Sequence, residues 1–408
     1  MPVAVLGAGF QGVCAALALA SRAIDGDLYD RNDAVITQAG LVNEGKIHLG
    51  FTYANDRTGK TAQLMAQGAL AFQQALASWL DCSADDLGLS GPHHYAVHRD
   101  SQLSTEAILM HFDRVRGMVR AMGAQQQCSY LGVPPDSVGY ERLDVEPTYD
   151  PELIVANIRT DERSVDVARV AGLLRRRVAD ETRITFHPHS EVAAASRDGQ
   201  HITIQLVKDG QVEQRRYLQV VNCLWDGQLA IDQQMGCLPP HRWLHRLKYG
   251  AFLTLREPLG LPSTTFVLGP FGDIVLTETR RLYMSWYPVA RGGISTALVP
   301  PPWPRQLPPV EAEAMVERML DGLAALMPPL RALSLDDVLE ISLRGGIIVA
   351  QGETDIDDPH SGLHQRTAVG IRSHNGYHTV DTGKYTLAPM LALALADRIS
   401  EEMSRWPQ

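Results

Sequence analysis

Apolar positions come in three kinds of run along this chain. Residues 3–6, VAVL, are continuously apolar, as in a strand buried on both faces. An apolar helical stretch, VCAALALASRA, follows at 13–23, and a second short strand, DLYD, ends on Asp30. From 183 to 224 the pattern breaks into consecutive strands, with turns at Arg197-Asp198-Gly199 and Lys208-Asp209-Gly210. The segments YGAFLTL, TTFVLG, DIVLTE and RLYMSWY predict strands of a mixed sheet. A Pro-rich loop, VPPPWPRQLPP at 299–309, precedes the helical VEAEAMVERMLDGLAALM. The last element, TLAPMLALALADRI, predicts a helix that is apolar around most of its surface.

The first strand and the first helix are joined by Gly7-Ala8-Gly9-Phe10-Gln11-Gly12, a complete G-x-G-x-x-G. Gly7 permits the tight turn, Gly9 lets a diphosphate approach the backbone, and Gly12 lets helix and strand pack closely. The free N–H groups of the helix start face the diphosphate. Asp30 lies about 20 residues further on, where a carboxylate accepts hydrogen bonds from ribose hydroxyls. An acid there disfavours a 2′-phosphate, although Arg31 stands beside it. The motif predicts a bound dinucleotide and does not choose between NAD and FAD.

Composition narrows the classes. The chain has 408 residues, 45% of them hydrophobic, and a formal net charge of -10. The absence of a basic run argues against nucleic acid as a partner. Five scattered cysteines with no C-x-x-C argue against a disulfide framework and for a reducing compartment. No basic leader precedes an apolar core, and no apolar run reaches the roughly 18–20 residues of a membrane span, so a cytoplasmic protein is expected. The two histidines of DPHSGLHQR match no zinc spacing, and no metal site is expected.

Several segments then resemble one family. QAGLVNEGKIHLGFTYANDRTGKTAQLM at 38–65, RGGIIVAQGETDIDDP at 344–359 and NGYHTVDTGKYTLAPMLALALADRI at 375–399 resemble the flavoproteins that include D-amino acid oxidase, glycine oxidase, glycerol-3-phosphate dehydrogenase and L-2-hydroxyglutarate oxidase. Ile47-His48-Leu49-Gly50-Phe51-Thr52-Tyr53 is similar to the I-H-x-G-x-x-Y of the 2-hydroxyglutarate branch. Gly383-Lys384-Tyr385-Thr386 is similar to the G-K-W-T of the glycerol-3-phosphate branch. VVNCLWDG at 220–227 resembles the strand and turn that close the FAD domain, and TDERSVDVARVAGLL at 160–174 an E-x-x-V-D helix start.

The resemblance implies non-covalent FAD, with attachment through His48 as the alternative. It implies an α/β (α+β overall) fold, in which a Rossmann-like FAD-binding domain carries an inserted β-meander beside a mixed-sheet substrate domain. The FAD domain is expected to be discontinuous, over 1–89, 150–240 and 343–408, and the substrate domain to span 90–149 and 241–342. Around the nucleotide the resemblance places Phe10, Gln11 and Arg31 with the three glycines and Asp30. Near the second motif it places Asn43, Gly45 and Lys46, and in the middle of the chain Val192, at the adenine, and Asn222. Near the C-terminus it places Gly376, Gly383, Lys384, Tyr385 and Thr386. The helix start there, with Lys384 and Thr386, would stabilise negative charge on the reduced flavin.

Only one G-x-G-x-x-G occurs, and the G-D-A-A-H segment of single-domain aromatic hydroxylases is absent; Gly272-Asp273 runs into IVLTE instead. The substrate is therefore the expected electron source. The expected reaction takes hydride from a C–H beside an amine or a hydroxyl of a small, carboxylate-bearing molecule, electrons passing to O2 or another acceptor. Arg344 matches the arginine that clamps a carboxylate in the family, against a structural salt bridge to Asp355 or Asp357. His48 is the candidate proton acceptor, against a purely structural role. Tyr283, in RRLYMSWYP, is the candidate pocket-lining tyrosine, against plain core packing. His374, Asn375, Tyr377 and His378 form a polar cluster before the last helix. Two other readings stay open. One is a flavoprotein without net substrate oxidation, such as an isomerase or a hydroxylase fed by a separate reductase. The other is a non-catalytic flavin-binding subunit. Substrate, acceptor and oligomeric state are not legible.

Overall fold

A computed structural model describes residues 2–126, 128–277 and 280–405. The strand Val3–Leu6 is buried at every residue. It lies inside a six-stranded sheet, parallel to Gly26–Tyr29 on one side and to Val220–Asn222 on the other. Ile184–His187 extends the sheet beyond Gly26–Tyr29, and Tyr377–Asp381 and Gly370–His374 complete its other end. A strand enclosed on both faces has no polar side, which is why the sequence shows a continuous apolar run there.

The helix Phe10–Ala20 is buried along its whole length. The sheet covers one side, and the final helix, Ala388–Ser404, packs on the other. That double cover explains why the first helix is apolar nearly all round. Lys60–Trp79 packs on the final helix, and Thr105–Gln126 packs on Lys60–Trp79. The predicted meander forms from Glu191–Asp198, His201–Lys208 and Gln211–Tyr217, joined antiparallel. Its apolar face, with Ile202, Ile204 and Leu206, closes a small core against Ala4, Leu6 and Tyr29.

A nine-stranded mixed sheet forms the other half of the molecule. Its spine is the long strand Trp243–Leu255, which pairs with Val338–Gln351 along most of its length and with Arg281–Trp286 and Arg291–Ser295 on its other edge. The helix Pro309–Leu326 buries Val316, Met319 and Leu323 in this sheet's core.

Strand pairing at two places and helix packing at a third cross the expected boundaries. Ile154–Thr160, expected in the first unit, pairs with His93–His98 in the second sheet. Residues 343–351, also expected in the first unit, belong to the strand paired with Trp243–Leu255. Helix Thr105–Gln126, expected in the second unit, buries Ile108, Phe112 and Val115 in the core of the first. In each case burial of an apolar face outweighs proximity in sequence. The last residue of the expected DIVLTE strand, Glu278, lies outside the described residues.

Candidate functional site

One cavity of about 420 Å³ runs from the glycine turn to the inner face of the second sheet. That size suits a small-molecule site. At one end its wall includes Gly7, Gly9 and Gln11, with Asp30, Arg31 and Val192. The turn is held by Asp30, whose Oδ2 accepts the Ala8 amide at 2.7 Å and whose Oδ1 accepts the Asn32 amide at 2.9 Å. A Cβ on Gly9 would meet no protein atom within 4 Å, so this backbone faces open space. Gly12 is different: a Cβ there would stand 1.8 Å from the Gly7 carbonyl oxygen. Gly12 is off the cavity wall, and its role is the close packing of helix on turn.

Phe10 and Tyr385 stack with centroids 3.9 Å apart and planes within 8°, joining the first helix start to the last. Asn43, Lys46, Gly383 and Lys384 are also on the cavity wall. Gln11 Oε1 accepts a hydrogen bond from Thr382 Oγ1 at 2.9 Å, while its Nε2 is buried without a partner.

Besides Gly12, four expected FAD contacts fall elsewhere. Thr386 is off the wall; its Oγ1 accepts the His48 amide at 2.9 Å and donates to the Lys46 carbonyl at 3.2 Å, so it positions both neighbours. Gly45, with φ +66°, faces the Val165 carbonyl. Asn222 is buried in a polar network, donating to Asp232 Oδ1 at 3.0 Å and Tyr377 Oη at 2.8 Å. Gly376 sits in the tight turn between the strands Gly370–His374 and Tyr377–Asp381. Tyr377 and His378 of the polar cluster are buried in that strand, with His378 bonded to Gln219 Oε1 at 2.6 Å.

Arg344 is also off the wall. Its side chain is exposed and its Nε donates to Ser342 Oγ at 2.9 Å. The strand Val338–Gln351 is covered only over its second half, where Gly346 and Ile348 reach the cavity. Arg344 is on the same face as those two and stands where the cover ends. Neither Asp355 nor Asp357 pairs with it; they pair with Arg246 and Arg291.

Other cations occupy the wall instead. Arg246 and Lys248 alternate on Trp243–Leu255 and both point inward. Arg246 binds Asp355 Oδ1 at 2.6 Å, and its guanidinium lies 5.7 Å from the Tyr287 ring. Lys248 Nζ is 4.1 Å from the same ring and 3.8 Å from Asp273 Oδ2. Lys46, 2% exposed, donates to Thr265 Oγ1 and lies 3.9 Å from Asp273 Oδ1. Burial works against ionising the Tyr287 hydroxyl, but Lys248 and then Arg246 outweigh it and hold its pKa below the usual tyrosine value.

His48, 4% exposed, has no hydrogen-bond partner on either ring nitrogen. Its Nε2 is 3.5 Å from Glu44 Oε1, and its ring meets Tyr53 edge-on at 5.6 Å. Burial, followed by the Lys384 ammonium, holds the imidazole pKa below its ordinary value. Burial opposes ionisation of Glu44, but Lys384, with its Nζ at 3.9 Å, and His48 keep the carboxyl well below the carboxylate range. Tyr283 lines the cavity, its ring lying over Gly250, where a Cβ would come within 2.6 Å of it. Arg366, 8% exposed, leaves Nε and Nη1 buried without partners, and the Tyr53 hydroxyl is likewise unpartnered.

The model for the DAO family, FAD dependent oxidoreductase, matches residues 2–398. The chain belongs to that family. Solved structures agree with this oxidoreductase in fold. Glycine oxidase from Geobacillus kaustophilus superposes with a TM-score of 0.68 at 14% identity, covering 98% of this chain and 94% of its own. Iminodiacetate oxidase from Chelativorans sp. BNC1 gives 0.65 at 15%, covering 99% and 97%. L-alpha-glycerophosphate oxidase from Mycoplasma pneumoniae gives 0.65 at 13%, covering 100% and 95%. No curated protein matches this oxidoreductase by sequence.

The wall fits FAD. The open face of Gly9, the unpartnered Gln11 Nε2 and the carboxylate of Asp30 offer room, a donor and an acceptor along one stretch. No helix among the described residues is long and apolar enough to cross a membrane.

Arg246, Lys248, Arg366, Glu44 and Asp273 were absent from the sequence-based site. A signal existed for two of them. Arg246 and Lys248 put charge at alternate positions of an otherwise apolar strand, WLHRLKYGAFLTL, a costly pattern unless that face meets a ligand.

Proposed function

We propose that this enzyme removes hydride from a C–H bond beside an amine or a hydroxyl of a small carboxylate-bearing substrate, with the electrons passing to O2 or another acceptor. The observation that carries the reading is that the glycine turn, His48, Tyr53 and Arg366 line one cavity. The chemistry FAD supplies when bound is two-electron oxidation at such a C–H bond. Gly9 and Gln11 would hold its diphosphate, Asp30 a ribose, Val192 the adenine side, and Lys384 the far end. The bond between protein and FAD is taken as non-covalent; acid precipitation that leaves the yellow colour in solution tests this.

The remaining work falls to the chain's own side chains. His48 is kept neutral by burial and by Lys384, so a free ring nitrogen is ready to accept the proton of a substrate hydroxyl or ammonium. The buried guanidinium of Arg366, with Nε and Nη1 unpartnered, takes the carboxylate by charge-assisted hydrogen bonding. The Tyr53 hydroxyl, free and buried beside His48, donates to the same substrate. Tyr283 and Tyr287 line the same cavity. The structural neighbours include oxidases named for glycine, iminodiacetate and glycerophosphate, so this fold supports both amine and alcohol chemistry.

The test is the visible spectrum of the purified protein, taken without oxygen before and after adding amino acids, N-methyl amino acids and 2-hydroxy acids. Bleaching by one of them names the bond oxidised. A yellow protein that no member bleaches would sink the reading.

A further inference from the structure

The charge on the cavity wall is uneven. At the nucleotide end, Asp226 bonds Arg305 and lies 3.9 Å from Arg31, so the cations there are answered. At the opposite end five cations line the wall: Lys46, Arg246, Lys248, Arg366 and Lys384. Three carboxylates answer them. Glu44 lies 3.9 Å from Lys384, Asp355 binds Arg246 at 2.6 Å, and Asp273 is shared between Lys46 and Lys248 at 3.9 and 3.8 Å. Among the described residues Arg366 has no carboxylate partner, and two of its three guanidinium nitrogens are buried and unbonded. Two other buried acids do not close the gap. Glu162 lies behind the wall, accepting from the Leu49 amide and the Tyr95 hydroxyl. Asp381 accepts from the Gly383 amide; it attracts Arg366 but makes no ion-pair contact with it.

Two positive charges are thus left without a carboxylate in contact, one on Arg366 and one on the lysine pair that shares Asp273. Buried charge is costly unless something pairs with it. We infer that the substrate of this oxidoreductase is a small dianion. One carboxylate sits on Arg366, and a second anionic group sits at Lys46 and Lys248. The second group is a carboxylate, or the phosphonate or phosphate of a small acid; the shared chemistry is two negative charges on one small molecule. The field that draws the Tyr287 hydroxyl toward its anion has the sign this requires. The inference rests on the reading of this cavity as the substrate site.

The test is calorimetric titration of the FAD-loaded protein with three compounds it need not oxidise: glutarate, its half-amide glutaramate, and 3-phosphonopropionate. Glutarate and glutaramate share length and shape and differ by one charge. A dianion should bind at least about tenfold more tightly than glutaramate, as expected for one further buried charge pair. The tighter of glutarate and 3-phosphonopropionate identifies the second group. Equal affinities for all three, or no binding by either dianion, overturn the inference. Arg366→Gln and Lys248→Gln should each bring the preferred dianion down toward glutaramate; an undiminished preference in both overturns the assignment of the two poles. Should either variant fail to fold, the comparison of ligands on the unaltered protein still decides. The titration needs no turnover. A protein that no donor bleaches therefore loses the oxidation reading alone, and the affinity ratio judges this one separately.

Discussion

Two glycines of one motif should fail in opposite ways when each receives a side chain. Gly9 has φ -69° and ψ -176°, an extended conformation open to any residue, and a Cβ there meets no protein atom within 4 Å. Gly9→Val therefore strains little in the apoprotein, at most about 1 kcal/mol from a poorer helix cap. Its methyls instead stand in the cavity where the diphosphate is expected. A group forced into a close-packed contact costs about 1–3 kcal/mol, so FAD affinity should fall about tenfold to a hundredfold or more. Gly12→Ala adds fewer atoms but puts its Cβ 1.8 Å from the Gly7 carbonyl oxygen and 3.0 Å from its carbon. Ordinary contacts need about 3.5 Å, so helix and turn must move apart by about 1.7 Å, and the apoprotein itself loses stability. The assay pairs flavin content after gel filtration with thermal unfolding of the flavin-stripped proteins. Gly9→Val should be colourless and melt near the unaltered apoprotein; Gly12→Ala should melt lower. A yellow Gly9→Val with full flavin content, or one whose apoprotein melts as low as Gly12→Ala, would refute the reasoning.

Three further expectations follow from the site and its surroundings. His48→Ala should keep its flavin and be reduced more slowly by substrate; in the unaltered enzyme the reduction rate should fall only below a pH under the ordinary imidazole value of about 6.5, because burial and Lys384 depress this pKa. A rate that already falls well above that value would remove His48 as the proton acceptor. Arg344→Ala should leave the substrate KM unchanged, since Arg344 is exposed and bonded to Ser342; a large rise in KM would return it to the site. His378 is pushed down to about 4 by burial and by Arg398, so the unfolded chain binds a proton that the folded one refuses. Stability should fall as pH drops from about 6.5 toward 4, with this residue contributing about 3 kcal/mol. His378→Gln should flatten that loss in thermal melts taken across the range, and an unchanged slope would rule the contribution out.

The sequence by itself determined what depends on neighbours along the chain. VAVL, the glycine turn and Asp30 encode a strand, a sharp turn and a carboxylate within one short stretch, and the fold places Gly7, Gly9 and Asp30 on one wall. The meander turns at Gly199 and Gly210 were legible too, because both glycines take the positive φ that such turns require. The helices Lys60–Trp79 and Thr105–Gln126 were not legible, since their apolar stripes are answered by segments far away in sequence, Phe72 by Phe10 and Tyr385, and Phe112 by Phe51 and Tyr95.

Tertiary structure alone decided which cations meet in the cavity. Lys46 reaches Thr265 from 219 residues away. Gly272-Asp273, set aside in the sequence as a broken motif, supplies the carboxylate that Lys46 and Lys248 share. Alternation along a strand says which face a residue takes, and it put Arg344 on the same face as Gly346 and Ile348. It does not say where along the strand the cover ends. That limit is set by the packing of distant segments, and it leaves Arg344 in solvent while Arg366, on a loop with no periodicity to read, is buried with its guanidinium free.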